Sequence, residues 1–321
     1  MATGPVNGSD DAVYPWLISH PFPNGIKPSV CISIDLYENA TAYAMRQWKR
    51  WEMTEHRCNC SYPTPDRIRP ITDPPLLVTV DVEGIVEEED DFRSVERLAS
   101  LLETLSIPVT LFVTPTVAIN RPETVAGWVD AGHAVGLHVH PARLGGDSDW
   151  LATYDKSDIK TFLGRGQDAL RDHVGLEPVL FRAGRWSHSR TLLAALDEQG
   201  IESDASQRSA SRRSMYRYRG VTEYPMTVFE NSILRYVLRP YGIDGLPLHP
   251  DAFLGSYALA LSLYAATIRE VLSDRSYVMV SFHDYDLVDE VLRRRVTRYL
   301  TRVTDWYRSD RIKTLPIERN P

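Results

Sequence analysis

Two carboxylates stand two residues apart in Thr79-Val80-Asp81-Val82-Glu83-Gly84. In an extended strand successive side chains alternate, so Asp81 and Glu83 share a face. Carboxylates that close repel unless a cation or a proton lies between them, which suits a metal site or an acid–base pair. The plainer reading is a strand running out into the acidic loop Glu87 to Asp91. Further along, Gly136-Leu137-His138-Val139-His140-Pro141 puts His138 and His140 on one face in the same way. Imidazole is the commonest nitrogen ligand for zinc and similar divalent ions. With Glu83 the two histidines would supply two nitrogens and one oxygen, leaving positions for water and substrate, as hydrolytic metal sites require. Either histidine alone serves equally well as an ordinary core or surface residue.

Three more short runs end in polar groups. Leu180-Phe181-Arg182-Ala183-Gly184-Arg185-Trp186 carries an arginine out of an apolar segment. A buried guanidinium needs a carboxylate, and Asp81 is available. Asp204 closes Glu202-Ser203-Asp204, and His283 stands in Val280-Ser281-Phe282-His283-Asp284-Tyr285-Asp286. A helix cap for Asp204 and a loop contact for His283 are the ordinary alternatives. Such alternatives would have to hold at every one of these strand ends together, and the conjunction favours an enzyme.

The elements that must position these groups follow a rhythm. From Leu76 onward, short apolar, β-branched runs alternate with longer amphipathic ones: Leu76 to Val82, then Phe92 to Leu105; Val109 to Val113, then Pro122 to Ala131; Ala134 to Val139, then Asp155 to Val174. Leu180 to Ala183 precedes Ser189 to Gln199, Glu202 to Ala205 follows, Tyr277 to Phe282 precedes Val288 to Tyr307, and Thr314 to Ile317 closes. Repeated strand then helix, with near-continuous hydrophobicity in the strands, implies an α/β fold with a parallel sheet. A parallel barrel and a doubly wound sheet both fit, and both place ligands at the carboxyl ends of the strands. Arg208 to Glu223, dense in arginine, reads as a long loop near the mouth.

The first 75 residues differ, with scattered prolines and two short periodic segments, and read as an N-terminal appendage (1–75) to a catalytic unit (76–321). His56-Arg57-Cys58-Asn59-Cys60 offers soft ligands but lacks the four that a structural zinc site normally needs. Cys31, Cys58 and Cys60 are an odd number, which speaks against a disulfide framework and for a reducing compartment. The 321 residues are 43% hydrophobic and 25% charged, which suits a globular protein with a large core. A net charge of −7 leaves no basic field for a phosphate backbone, so nucleic acid is not an expected partner. The start lacks the basic and apolar regions of a secretory signal, and the longest apolar stretch, Tyr257 to Ile268, is shorter than the ~20 residues that span a bilayer. A cytoplasmic location and no membrane partner are the expectation.

In order, Thr79 to Gly84, Gly132-His133-Ala134-Val135-Gly136-Leu137-His138-Val139-His140-Pro141, Phe181 to Trp186, Asp204 and Phe282-His283 resemble the polysaccharide deacetylase family, carbohydrate esterase family 4. The resemblance spans Pro75 to Ile317. It implies a distorted (β/α) barrel of about seven strands. It also implies one divalent metal ion, zinc ahead of cobalt, nickel, iron or manganese, and hydrolysis of an N-acetyl group from an amino sugar. By the same resemblance Asp81 is the general base, and Glu83, His138 and His140 hold the metal. Arg182 orients the base, a backbone N–H near Arg185 helps hold the oxyanion, and His283 is the general acid, tuned by Asp204. This chain departs from the family pattern in three places: Val82 separates the two acids of the first motif, Ala142 stands where a second histidine is usual, and Asp284 follows His283 directly. The expected substrate is a small N-acetylated sugar. The alternatives are hydrolysis of another C–N bond, such as a formamide or cyclic amide, and a metal-free glycan-binding barrel.

Overall fold

The computed structural model describes residues 66–67, 76–84, 92–207, 215–226, 229–230, 247–248 and 277–308. The cysteines, the Tyr257 to Ile268 segment, Thr314 to Ile317, Arg208, Arg212, Arg213 and all of the appendage except residues 66–67 lie outside these. Among the described residues no helix is long and apolar enough to cross a membrane.

The strands are β1 (Asp66–Arg67), β2 (Leu76–Val82), β3 (Thr110–Val113), β4 (Ala134–Val139), β5 (Leu180–Ala183), β6 (Ser203–Asp204), β7 (Tyr216–Tyr218), β8 (Val221–Glu223), β9 (Phe229–Glu230), β10 (Pro247–Leu248) and β11 (Val278–His283). The helices are α1 (Arg93–Thr104), α2 (Pro115–Asn120), α3 (Pro122–Asp130), α4 (Lys156–Val174), α5 (Arg190–Glu198) and α6 (Glu290–Arg308). One sheet runs β1-β7-β8-β6-β5-β4-β3-β2-β11. Its stretch from β8 to β11 consists of parallel pairs throughout, which gives seven parallel strands. This is a mixed α/β, curled half-barrel architecture, the barrel alternative of the two that the strand-then-helix rhythm allows.

Each parallel strand is buried on both faces, and the two faces bury different things. Along β2, Leu76, Val78, Val80 and Val82 point to the helix layer, where they pack with Leu98 of α1, Val117 of α2, Leu163 of α4, Leu196 of α5 and Val296 of α6. The alternate positions face the interior of the curl: Leu77 joins Phe112, Leu180 and Met279 in a smaller apolar plug. Above that plug the same face turns polar, with Thr79 and Asp81 on β2, His138 on β4, Arg182 on β5 and Ser281 on β11, all buried. Four strand steps separate β5 from β11, a span of about 19 Å in a flat sheet. Arg182 nevertheless donates to Ser281 Oγ at 3.1 Å, so the sheet is curled tightly enough for its two sides to meet.

The helices are set by local signals. Asp155 caps α4 by accepting the Asp158 N–H at 2.9 Å, and Gly175 ends it at φ 75°. Its buried residues Ile159, Phe162, Leu163, Gly166 and Leu170 recur at helical spacing and form one stripe. One segment departs from expectation. The arginine-rich stretch read as a long loop contains a hairpin, β7 pairing antiparallel with β8 around Arg219-Gly220. Three-residue strands give too short an alternation to register against so many charges. Their buried members, Tyr216, Val221 and Glu223, show why the chain pairs there.

Candidate active site

Asp81 and Glu83 leave β2 at its carboxyl end, in register with His283 of β11. The exit is fixed by a third acid. The buried Asp284 carboxylate accepts the backbone N–H of Glu83 at 2.9 Å, that of Gly84 at 3.0 Å and the Ser94 hydroxyl at 2.6 Å. Burial raises the Asp284 pKa to about 6, and these donors resist the rise.

Arg182, with no exposed surface, crosses the curl to Asp81 Oδ1 at 2.6 Å. Its remaining N–H groups go to Thr79 Oγ1, Ser281 Oγ, Met279 Sδ and the Ala205 carbonyl. Its plane lies between the rings of Phe112, 4.2 Å away, and Trp186, 4.7 Å away. Burial works to raise the pKa of Asp81, but the Arg182 charge, with His138 and His283, overrides it and keeps the carboxylate below its ordinary value. The arginine expected to need a carboxylate has found the one expected.

The two histidines converge. His138 Nδ1 lies 2.8 Å from the Arg182 carbonyl, an acceptor, so the proton sits on Nδ1 and Nε2 is left as a lone pair. His140 Nδ1 lies 3.3 Å from Asp149 Oδ2. The Nε2 atoms then meet one oxygen, Glu83 Oε1, at 3.7 Å from His138 and 3.4 Å from His140. His140 Nε2 is buried and, among the described residues, meets no hydrogen-bond partner. Burial raises the Glu83 pKa, yet the two imidazoles pull it well below its usual value. Burial lowers that of His140, and Asp149 and Glu83 reverse this to about 9. Two anchored imidazoles and a carboxylate facing one point are a donor set that a divalent cation fits. Gly184 makes room for it, since a Cβ there would come within 2.7 Å of the His140 ring.

His283, its side chain 18% exposed, faces the same space. Nε2 is 3.8 Å from Asp81 Oδ2 and 3.9 Å from Glu83 Oε1, while Nδ1 is 3.8 Å from Asp286 Oδ2. Burial lowers its pKa, but Asp286, Asp81 and Glu83 bring it up to about 10. Its ring stacks on Tyr285 with centroids 4.5 Å apart.

Asp204, expected to tune His283, stands apart. It pairs in register with Phe181, whose side chain belongs to the helix-side core, so alternation turns Asp204 away from the face that carries Arg182. The acid at His283 Nδ1 is Asp286, three residues on, which also accepts the His283 N–H at 2.9 Å. Its signal was the cap-like spacing after a strand end. Asp149 gave no signal, because it lies in a polar loop outside every periodic run. Arg185, expected near the oxyanion, occupies a turn in which both it and Trp186 have positive φ, 58° and 56°. Two such non-glycine residues in succession are strained backbone of the kind that clusters at functional sites. The Arg185 side chain reaches Asp149 at 3.3 Å.

Residues 78–203 match the model of the polysaccharide deacetylase family. No curated protein sequence matches it. Among solved structures, a Mycobacterium smegmatis protein classed with the polysaccharide deacetylases is 16% identical with a TM-score of 0.50, covering 80% of this chain and 99% of that one. The PuuE allantoinase is 12% identical with a TM-score of 0.53, covering 76% of this chain and 92% of the other. A family 4 carbohydrate esterase from Streptomyces lividans is 16% identical with a TM-score of 0.46, over 77% and 94%. At these identities the likeness is one of fold.

Proposed function

We propose that the chain is a metal-dependent hydrolase that removes an N-acetyl group from an amino sugar. The observation that carries this reading is the meeting of both imidazole Nε2 atoms on Glu83 Oε1, beside an arginine-paired Asp81 and the His283 imidazole. A divalent ion held by Glu83, His138 and His140, zinc by first preference, would polarise the amide carbonyl and acidify the attacking water. Asp81 is the base. Arg182 occupies its Oδ1, so Oδ2 is the oxygen left to take the water proton, and it is the one turned toward His283. His283, kept protonated by Asp286, Asp81 and Glu83, gives its proton to the leaving amine as the C–N bond breaks, yielding acetate and a free amine. The tuning role expected of Asp204 passes to Asp286. The Arg185 backbone amide is assigned to the carbonyl oxygen as its charge builds.

The test is product analysis on the metal-loaded protein, with substrates from single N-acetylhexosamines to chitin and peptidoglycan fragments, plus a formamide and a cyclic amide. Acetate from an N-acetyl sugar supports the reading. Turnover confined to the formamide or cyclic amide overturns the sugar assignment, and tight glycan binding without turnover overturns the enzyme.

A further inference from the structure

A second group of ligating side chains lies on the helix side of the sheet. Asp204 of β6 and Glu223 of β8 are register partners, and the row continues through Phe181 on one side and Tyr216 on the other. His188, between the Gly184–Trp186 turn and α5, completes the group: its Nε2 is 3.5 Å from Glu223 Oε2 and 3.4 Å from the Tyr216 hydroxyl. One ring nitrogen and one oxygen from each carboxyl group all lie within 4.8 Å of one another, and all three residues are buried. Two ligands about 2.1 Å from a shared tetrahedral ion sit about 3.4 Å apart, close to the separation of His188 and Glu223.

Among the described residues, this group is short of hydrogen-bond donors. Asp204 and Glu223 have no exposed surface. Asp204 Oδ1 takes the Ser206 N–H and hydroxyl, and Glu223 Oε1 takes the Gln207 N–H at 3.0 Å. Among the described residues, the other oxygens, Asp204 Oδ2 and Glu223 Oε2, meet no hydrogen-bond donor, and neither polar atom of the buried Gln207 carboxamide is bonded. The Arg182 charge acts on both carboxylates and that of His188 on Asp204, but the Arg182 N–H groups are directed to Asp81, Thr79, Ser281, Met279 and the Ala205 carbonyl. Burial, then the charge of Glu223, raises the Asp204 pKa well above its usual value, and burial lifts Glu223 to about 7. Two carboxyl oxygens side by side in a dry interior need a proton or a cation between them.

We propose that His188, Asp204 and Glu223 form a second divalent-cation site, distinct from Glu83, His138 and His140. A doubly charged ion balances both carboxylates at once, which one shared proton does not, and imidazole with carboxylates suits zinc or manganese. Held there, the ion ties β6, the β7–β8 hairpin and the approach to α5 together behind Arg182. This inference does not rest on the deacetylase reading.

The experiment is metal content by mass spectrometry after loading the full chain with zinc, and separately with manganese, and removing excess by dialysis. Wild type is expected to hold about two equivalents, His138→Ala/His140→Ala about one, and Glu223→Gln in that background none. Cobalt loading of His138→Ala/His140→Ala gives an independent signature, a visible d–d absorption that His188→Asn abolishes. One equivalent in wild type and none in His138→Ala/His140→Ala, with no cobalt absorption, overturns the site. So does a His138→Ala/His140→Ala chain that keeps its ion after Glu223→Gln or His188→Asn. If Glu223→Gln does not fold, the wild-type and His138→Ala/His140→Ala stoichiometries decide alone.

Discussion

Asp81 has two duties that one substitution separates. It neutralises Arg182 in a site with no exposed guanidinium surface, and its second oxygen is the proposed proton acceptor. Removing one member of a buried ion pair costs on the order of 3–5 kcal/mol, because the other charge stays behind. Asp81→Asn keeps an acceptor oxygen for Arg182, so the expected loss is at the low end, about 3 kcal/mol, measurable by denaturant unfolding. An unchanged midpoint would mean that the guanidinium is neutralised elsewhere. Asp149 makes the complementary case. It touches His140 Nδ1 and the Arg185 guanidinium, and burial opposes but does not prevent a pKa lowered to about 2, chiefly by the His140 contact. Partners that orient a ligand histidine in this way are typically worth about 10–100-fold in metal affinity. Asp149→Asn should weaken zinc binding at the Glu83 cluster by that factor in a competition titration. Equal affinity would show that His140 is held in place without it.

At the scale of elements, the sheet explains which residues were legible in the sequence. Asp81, His138, Arg182 and His283 lie at or near the ends of apolar strands, with Glu83 just past β2, and period-two alternation within each strand, joined by the register between strands, sets the strand residues on one face. Asp204 ends a two-residue strand, too short for its face to be read, and it points the other way. β8 is the strand the sequence hid, and it brings in Glu223. In the chelator-treated chain Glu223 has a folded-state pKa of about 7 against an ordinary value near 4.5. Its raised value favours the neutral form, so the cost to the fold is absent below about pH 4.5, grows as pH rises and is complete above about pH 7, reaching about 3 kcal/mol. Metal-free Glu223→Gln should therefore gain stability relative to metal-free wild type between pH 5 and pH 8. A constant difference would mean that the carboxyl is not held neutral. Gly184 carries the other prediction at this scale. Its Cβ would meet the His140 ring, so Gly184→Ala should displace the imidazole and lower zinc retention while the circular dichroism of the sheet stays intact. Unaltered retention would show that the turn can yield.

For the whole molecule, the curl of the sheet is what makes a site from strands that are not neighbours. β5 supplies Arg182, β4 and the residue after it the two histidines, and the ends of β2 and β11 the acids and His283, so the proposed catalytic groups exist as a set only when the sheet curls over its apolar plug. That closure was readable in outline from alternating strands and helices, and so was the pairing of Arg182 with Asp81, but not the contacts of Arg182 to Thr79, Ser281 and Met279, which nothing local in the chain signals. The fold and the chemistry are thus coupled through Asp81 and Arg182. The most direct test of the account is the rate of acetate release from an N-acetylated amino sugar by zinc-loaded wild type and zinc-loaded Asp81→Asn, both confirmed folded at the assay temperature. Wild type should turn over, and the variant should be slower by about 10²–10⁴-fold with its zinc at the Glu83 cluster retained. Equal rates in the two proteins would contradict the account.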